Sequence, residues 1–345
     1  MTLSKSIIKW YGDHKRNLPW RHTKDPYLIW VSEIIMQQTQ IAQGLSYYKR
    51  FIAAFPEVSD LNKASEDQVL KLWQGLGYYS RARNMKHAAQ QIMEDYGGVF
   101  PDKYKDIIAL KGIGNYTAAA IASFAFDQPY AVLDGNIYRL LSRYYGIHTP
   151  INTSRGQKEF AALAQEVLDK NEAATHNNAM MEFGALQCTV AQPSCYDCPL
   201  ADSCQAFLSQ QVSELPKKEK KLKIKNRYLH YFLISDGSQM MIEKRQGSDI
   251  WKGLYQLPLI ETTQATPADE ILQKEAFREM INGQKFHLKH MAESRHKLTH
   301  RNLFIRFYEI VVPQLKQHHY LAIHLSEVHS YAFPQPLQNY LETLL

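Results

Sequence analysis

Apolar residues recur at helical spacing through the first two thirds of the chain. Within residues 3–210, Trp30, Ile34 and Ile41 lie four and seven positions apart, which gathers such side chains on one face of a helix. Proline and glycine residues punctuate these runs at Pro56, Gly97, Gly98, Pro101, Pro129 and Pro150. Strand-like alternation is sparse there, so the pattern predicts an all-helical domain.

Strand-like patterns appear after this helical part. The segment YLHYFLISDGSQMMIEKR (228–245) predicts two strands around a turn at Asp236 and Gly237. A helical segment near 267–282 follows, and then a second strand pair around HKLTH (296–300) and NLFIRFYEIVV (302–312). The order of these elements predicts an α+β domain.

The two patterns divide the chain into a helical domain, 1–212, a basic linker, 213–226, and an α+β domain, 227–345. The formal charge of the 345 residues is +6, and residues 217–227, with seven cations and one carboxylate, account for all of it. The rest of the chain is balanced. Total charge is therefore weak evidence for a nucleic-acid partner, since a solvated linker explains it equally well.

No stretch of the sequence approaches the roughly 18 uninterrupted apolar residues of a membrane span. The first residues mix charged and apolar side chains from Lys5 onward. We therefore expect no membrane association and no export, with a cytoplasmic location that is nucleoid-associated if the protein is bacterial.

All four cysteines lie in one short segment with the spacing C-x6-C-x2-C-x5-C: Cys188, Cys195, Cys198 and Cys204. Four clustered thiolates can hold a [4Fe–4S] cluster, whereas structural zinc sites more often use two close C-x2-C pairs. Two disulfides are a third option, disfavoured in a reducing compartment. A [4Fe–4S] cluster is the favoured interpretation, with a structural role in closing the loop and not a role in redox catalysis.

This cysteine spacing, with LKGIGNYTAAAIASFAF (110–126) and VLDGNIYRLLSR (132–143) before it, resembles the endonuclease III superfamily of helix-hairpin-helix DNA glycosylases. The resemblance covers roughly residues 5–210. It implies an all-α glycosylase domain with a [4Fe–4S] loop.

In the hairpin segment, Gly112 and Gly114 would let backbone N–H groups at a helix N-terminus face a DNA phosphate. By themselves these glycines also fit a simple interhelical turn. Bifunctional members of the superfamily carry a Schiff-base lysine where this chain has Tyr116, and Lys111 lies at the wrong position. The resemblance therefore implies hydrolysis of the glycosidic bond without efficient β-elimination.

Asp134 and Asn136 lie in the LDGN segment at the predicted start of a helix. From position alone, Asp134 is a helix N-cap. The resemblance implies that it is also the superfamily's catalytic aspartate, which stabilises positive charge at C1′ of the flipped nucleotide, and it places Asn136 beside the DNA.

The segments LPWR (18–21) and WVSEIIMQQTQ (30–40) resemble the adenine glycosylases of the MutY type within this superfamily. Adenine leaves more easily when N7 is protonated, so the resemblance implies that Glu33 is the proton donor, kept protonated by partial burial. Without this resemblance, Glu33 is simply one acidic residue on an amphipathic helix. Arg16, Arg21 and Trp30 are predicted to lie near the substrate strand or base.

Segment QGLGYYSRAR (74–83) also resembles this family. It implies that Gln38, Leu76 and Tyr78 insert into the duplex and fill the space left by the extruded adenine. The alternative is an aromatic turn in the core. Asn178 is shorter than the Glu or Gln that many relatives carry, so its contact with adenine is expected to be water-mediated or absent.

The C-terminal domain resembles Nudix-like lesion-recognition domains, most clearly in IWKGLYQLP (250–258). The carboxylate run that holds metal in a working Nudix box is missing after Glu279, which argues against pyrophosphatase activity. The family's Phe-Ser-His loop appears as Leu298, Thr299 and His300. The resemblance implies that Thr299 and His300 can still form hydrogen bonds to oxidised guanine, whereas Leu298 lacks the aromatic ring that would stack; the alternative is an exposed basic strand.

These resemblances thus imply a monofunctional adenine DNA glycosylase of base excision repair. The expected substrate is double-stranded DNA with adenine opposite 8-oxoguanine, or less favourably opposite guanine, and the protein is expected to be a monomer. Two alternatives are an endonuclease III-like pyrimidine glycosylase/lyase, which should carry lysine at position 116, and a catalytically silent iron-sulfur DNA-binding module. Nothing in the sequence identifies replication or repair partners.

Overall fold

The computed structural model describes residues 2–219, 224–316 and 319–344. By residue contacts the chain forms two compact units, one of Met1–Lys63 with His87–Lys220 and the other of Ala64–Lys86 with Lys221–Leu345. Among the described residues, no helix is long and apolar enough to cross a membrane.

Helices and two 3₁₀ turns make up the regular structure from residue 3 to residue 208. They are α1 (Leu3–His14), a 3₁₀ turn (Pro19–Arg21), α2 (Pro26–Ile35), α3 (Ile41–Ala54), α4 (Val58–Lys63), α5 (Glu66–Trp73), α6 (Ser80–Asp95), α7 (Tyr104–Ile107), α8 (Asn115–Phe126), α9 (Gly135–Tyr145), α10 (Ser154–Val167), α11 (Ala173–Leu186), a 3₁₀ turn (Ala201–Ser203) and α12 (Gln205–Leu208). No described residue of 2–219 lies in a β-strand. The prediction of a helical first part is confirmed.

Polar caps begin several of these helices, and an apolar core packs those of the first unit together. The side chains of Thr2, Asp25 and Thr153 accept hydrogen bonds from backbone N–H groups in the first turns of α1, α2 and α10. N–H groups in the first turn of a helix have no acceptor within the helix itself. The core gathers Trp10, Phe160 and other apolar side chains from α1, α8, α9, α10 and α11.

The rest of the chain contains β1 (Lys225–Ser235), β2 (Gln239–Lys244), β3 (Tyr255–Gln256), β4 (Leu259–Thr262), α13 (Ala268–Gln273), α14 (Glu275–Met280), β5 (His287–Leu298), β6 (Arg301–Val311), β7 (Leu321–His324), a 3₁₀ helix (Leu325–Ser330) and α15 (Gln335–Glu342). The strands form a seven-stranded sheet with the path β3-β2-β1-β6-β5, in which β4 also pairs with β1 and β7 with β2. Strand β1 runs parallel to β6, and β5 and β6 form an antiparallel hairpin. The α+β prediction is confirmed, including the turn at Asp236 and Gly237.

Side-chain alternation along β1 gives the sheet two buried faces. Leu229 and Tyr231 belong to one apolar cluster, which includes residues of α15. Phe232 and Ile234 belong to the other, with residues of α13 and α14. Because successive strand residues point to opposite faces, one strand serves both cores.

Residues 64–86 group with the sheet by contact, although the sequence places them in the helical domain. Asp67 of α5 accepts hydrogen bonds from Lys244 and Tyr255, and Lys71 donates to the carbonyl of Tyr331 at 2.9 Å. The predicted domain boundaries, at residues 212 and 227, therefore remain a prediction. Residues 220–223 of the predicted linker lie outside the described residues.

Candidate active site

The first unit contains a cavity of about 1020 Å³ lined by residues of α1, the first 3₁₀ turn, α2, α8, the start of α9 and α11. Seven of the predicted residues lie on its wall: Arg16, Arg21, Glu33, Tyr116, Asp134, Asn136 and Asn178. Segments that are distant in the sequence therefore meet around one space, which identifies it as the candidate active site.

Helix α2 carries Glu33 into this wall. Eight of its ten residues are buried, so the helix lies within the core on nearly all sides, and Glu33 is only 7% exposed. The hydroxyl of Tyr116 donates to its Oε2 at 2.6 Å. Burial raises the pKa of Glu33 to about 7; Tyr116 and Arg21 oppose this shift and Asp134 adds to it. A substantial fraction of Glu33 is therefore protonated near neutral pH, as a general acid requires.

Asp134 is the N-cap of α9, as its position in the sequence predicts. Its Oδ1 accepts from the backbone N–H of Ile137 at 2.8 Å, and its Oδ2 accepts from the Asn136 amide at 2.7 Å. Burial raises the pKa of Asp134, while these hydrogen bonds favour the carboxylate. Capping fixes the carboxylate against the cavity, so the capping and catalytic interpretations are compatible.

A second layer of contacts holds the start of α9 in place. Arg139 donates to the Asn136 side chain at 2.9 Å, to the Gly184 carbonyl at 2.5 Å and to the Cys188 carbonyl at 2.7 Å. A Cβ at Gly184 would lie 2.7 Å from the Asn136 Cβ, so glycine permits the close approach of α11 to α9.

Arg16 and Arg21 lie on the cavity wall, and their guanidinium groups are bound to Glu182 at 2.5 and 2.7 Å. Glu182 was not predicted from the sequence. Its only local signal is its spacing, four residues after Asn178 on α11, which puts both side chains on the same helical face.

Trp30 does not reach the surface. It is 0% exposed and packs edge-to-face against Tyr27 and Phe100. The prediction that Trp30 contacts DNA or the base is therefore wrong: it is a core residue of the buried helix α2.

Three residues of this unit that are predicted to contact DNA are exposed: Gln38, Gly112 and Gly114. Gln38 has a φ of 56° just after α2, and Gly112 has a φ of 80° before α8. Gly114, the N-cap of α8, supplies no side-chain cap, which leaves N–H groups of the first turn without that partner. This geometry suits an anion such as a DNA phosphate.

The four cysteines line one small cavity and none forms a disulfide. Burial raises the pKa of the Cys198 thiol to about 11, and Arg143 donates to the Cys188 Sγ at 3.5 Å. Across residues 2–219, 224–316 and 319–344, no group of three or more histidine, cysteine, aspartate or glutamate side chains is arranged to hold a metal ion. In kind and number, the thiols around this cavity match the cysteine ligands of a [4Fe–4S] cluster.

A second cavity, of about 720 Å³, lies in the second unit. It is lined by the turn between α5 and α6, by residues 248–252 and by the β5–β6 turn. The hydroxyls of Tyr78 and Thr299 are 2.8 Å apart there, and Tyr78 is 49% exposed. Two segments predicted separately to contact the damaged base pair thus meet in one site.

The other predicted residues of this cavity differ in exposure. Leu76 is 9% exposed, and Leu298 packs partly against the sheet core. His300 is exposed at the tip of the hairpin. Arg83, Lys252, Lys297 and Arg301 make the wall basic, which suits a nucleic-acid backbone.

Residues 31–167 match the family of HhH-GPD superfamily base excision DNA repair proteins, and residues 230–343 match the NUDIX domain family. The chain is 35% identical to the adenine DNA glycosylase of Buchnera aphidicola subsp. Baizongia pistaciae over 90% of this chain and 86% of that protein.

Two solved structures share the helical fold. A thermostable thymine-DNA glycosylase matches with 29% identity and a TM-score of 0.56, covering 60% of this chain and 95% of the other. Endonuclease III in a non-covalent complex with DNA matches with 20% identity and a TM-score of 0.53, covering 60% of this chain and 94% of the other.

Proposed function

Because the chain belongs to the adenine DNA glycosylase family, we propose that it hydrolyses the N-glycosidic bond of adenine mispaired with 8-oxoguanine, and more slowly of adenine opposite guanine. Membership makes the chain a DNA-binding glycosylase of base excision repair that acts on adenine. The observation that carries the proposed hydrolysis is a buried Glu33, hydrogen-bonded to Tyr116, in the same cavity as Asp134.

Glu33 supplies the proton that adenine needs to leave. The protonated carboxyl donates to N7 of the extruded adenine, and the C1′–N9 electron pair goes to the departing base. Burial raises the pKa of the Tyr116 phenol, so this group stays a neutral donor and holds Glu33 in place. Asn178 lies on the wall of the same cavity.

Asp134 stabilises the positive charge that develops at C1′ as the bond breaks. Water then adds to C1′ and loses a proton, which leaves an abasic site. Position 116 holds a phenol instead of an amine, so no Schiff base forms there. The product is therefore an unbroken strand.

The family typically carries a [4Fe–4S] cluster, and we propose that Cys188, Cys195, Cys198 and Cys204 hold one here. The cluster would close the loop that follows α11 as a structural clip. Protein purified without oxidation should contain about four iron atoms per chain. A folded, active protein without iron would overturn the assignment, and stoichiometric zinc would replace it with a zinc site.

The second unit supports recognition of the oxidised base opposite adenine. The hydroxyls of Tyr78 and Thr299 lie together on a basic wall, and His300 stands at the same turn. These groups offer both donors and acceptors to the edge of 8-oxoguanine. Leu298 replaces an aromatic residue, so discrimination here depends on hydrogen bonding.

Replacing both Thr299 and His300 by alanine should therefore narrow the preference for 8-oxoguanine over guanine by about tenfold, the effect of losing roughly 1.5 kcal/mol of hydrogen bonding. The measurement is the ratio of single-turnover excision rates on the two duplexes. Thr263→Ala with His329→Ala, at exposed positions of the same unit, is the matched control. An unchanged ratio would mean that this turn does not recognise the lesion.

Labelled duplexes test the reaction type. The panel contains adenine opposite 8-oxoguanine, guanine or thymine, together with thymine glycol, each with and without hot alkali. Scission only at mispaired adenine, and only after alkali, supports the proposal. Scission at thymine glycol without alkali favours the lyase alternative, and no scission by cluster-loaded protein favours the silent DNA-binding module.

A further inference from the structure

Glu182 is a buried carboxylate that the proposed reaction does not use. Its side chain is 1% exposed. It accepts from the Arg16 backbone N–H at 2.8 Å, from Arg16 Nε at 2.9 Å and from Arg16 Nη2 at 2.5 Å. Arg21 adds donations from Nη1 at 3.0 Å and Nη2 at 2.7 Å. These bonds hold the pKa of Glu182 at about 2 despite its burial.

The pair of arginines bound by Glu182 lies on the same cavity wall as Glu33. Arg21 has a side chain only 11% exposed, so solvent screens its charge poorly. A nearby cation stabilises a carboxylate, and Arg21 lowers the pKa of Glu33. Left uncompensated, this charge would act against the protonated form that an acid catalyst needs.

Other charged and titratable groups also face Glu33. Tyr116 comes from α8 and Asp134 from the start of α9, while Arg21 comes from the 3₁₀ turn. The remaining charged and titratable side chains on the cavity wall are Tyr11, Lys15, Arg16, Lys24, Arg139 and Glu182. Asp134 acts on the pKa of Glu33 as an anion and raises it, whereas Arg21 acts as a cation and lowers it.

We propose that Glu182 is a positioning residue of the reaction: it anchors Arg16 and Arg21 against the cavity wall and offsets their charge, so that the Glu33 carboxyl keeps its proton at neutral pH. This inference rests on the proposed role of Glu33 as the acid. Arg16 and Arg21 can then line the pocket for the base without promoting loss of the proton from Glu33.

The pH dependence of single-turnover excision by the cluster-containing protein tests this. In the wild type, the rate should fall as pH rises through about 7, where Glu33 loses its proton. Glu182→Gln keeps an acceptor oxygen and removes the negative charge. Its alkaline limb should therefore move to lower pH by about one unit.

A compensating pair of changes separates charge from folding. The double variant Arg21→Gln with Glu182→Gln removes one positive and one negative charge, so its limb should return toward the wild-type position. Arg21→Gln alone should move the limb to higher pH. Glu166→Gln, at an exposed position of α10, is the control and should leave the profile in place. Thermal unfolding establishes that each variant is folded.

Two results would overturn the inference. The alkaline limb of the pH–rate profile would not move in folded Glu182→Gln, or the limb of the double variant would stay at the position found for Glu182→Gln. Both results leave the proposed reaction intact. A wild-type protein that excises adenine with no alkaline limb near pH 7 would instead remove Glu33 as the acid, and the role of Glu182 with it.

Discussion

A Glu33→Gln variant loses adenine excision by about 10²–10⁴-fold, the usual contribution of a general acid, and binds the mispaired duplex as tightly as the wild type. Glutamine has nearly the same volume and can still accept the hydrogen bond from Tyr116. It cannot release a proton to N7 of adenine. Single-turnover excision and anisotropy with a non-cleavable duplex measure the two properties separately.

Glu166→Gln makes the same chemical change at an exposed position of α10 and should excise adenine at the wild-type rate. Excision by Glu33→Gln at a rate close to the control would show that the proton comes from another group. Loss of duplex binding in parallel with excision would assign Glu33 to the binding surface instead.

An Asp134→Asn variant is expected to fold normally and to lose excision by about 10²–10³-fold, the effect of removing one electrostatic stabiliser of a transition state. The amide oxygen can still accept from the N–H of Ile137, so the N-cap of α9 survives. The negative charge that stabilises C1′ does not. Single-turnover rates and melting temperatures, measured on the same preparation, separate these effects.

Asp25→Asn is the matched control, because Asp25 also caps a helix through its carboxylate, at the start of α2, and is absent from the cavity wall. It should keep full activity. If Asp134→Asn lowered the melting temperature and the rate together while Asp25→Asn did neither, the loss of activity would reflect the helix start and not the charge.

The sequence predicted most of the candidate site because its residues belong to local motifs. Glu33, Tyr116 and Asp134 each lie in a short segment whose neighbours identify it, and the structure brings all three to one cavity. Helical periodicity and the turn at Asp236 likewise predicted both fold classes, since burial of one face imposes the spacing.

What the sequence did not predict depends on contacts across long separations. Glu182 binds Arg16 across 166 positions, and its spacing from Asn178 on α11 does not by itself distinguish it from a surface acid. Tyr78 contacts Thr299 across 221 positions. Helix α5 packs with the sheet through contacts of similarly long sequence separation, such as those of Asp67 with Lys244 and Tyr255. Trp30 was misassigned because α2 is buried on nearly all sides, which makes an aromatic residue beside a functional motif part of the core.

The most direct test of the proposed function is the single-turnover release of free adenine by the wild-type, cluster-containing protein from duplexes that place adenine opposite 8-oxoguanine or opposite thymine. The proposed function predicts adenine release from the 8-oxoguanine duplex, an unbroken abasic strand, and no release opposite thymine. Equal release from both duplexes, or release from neither, would contradict it.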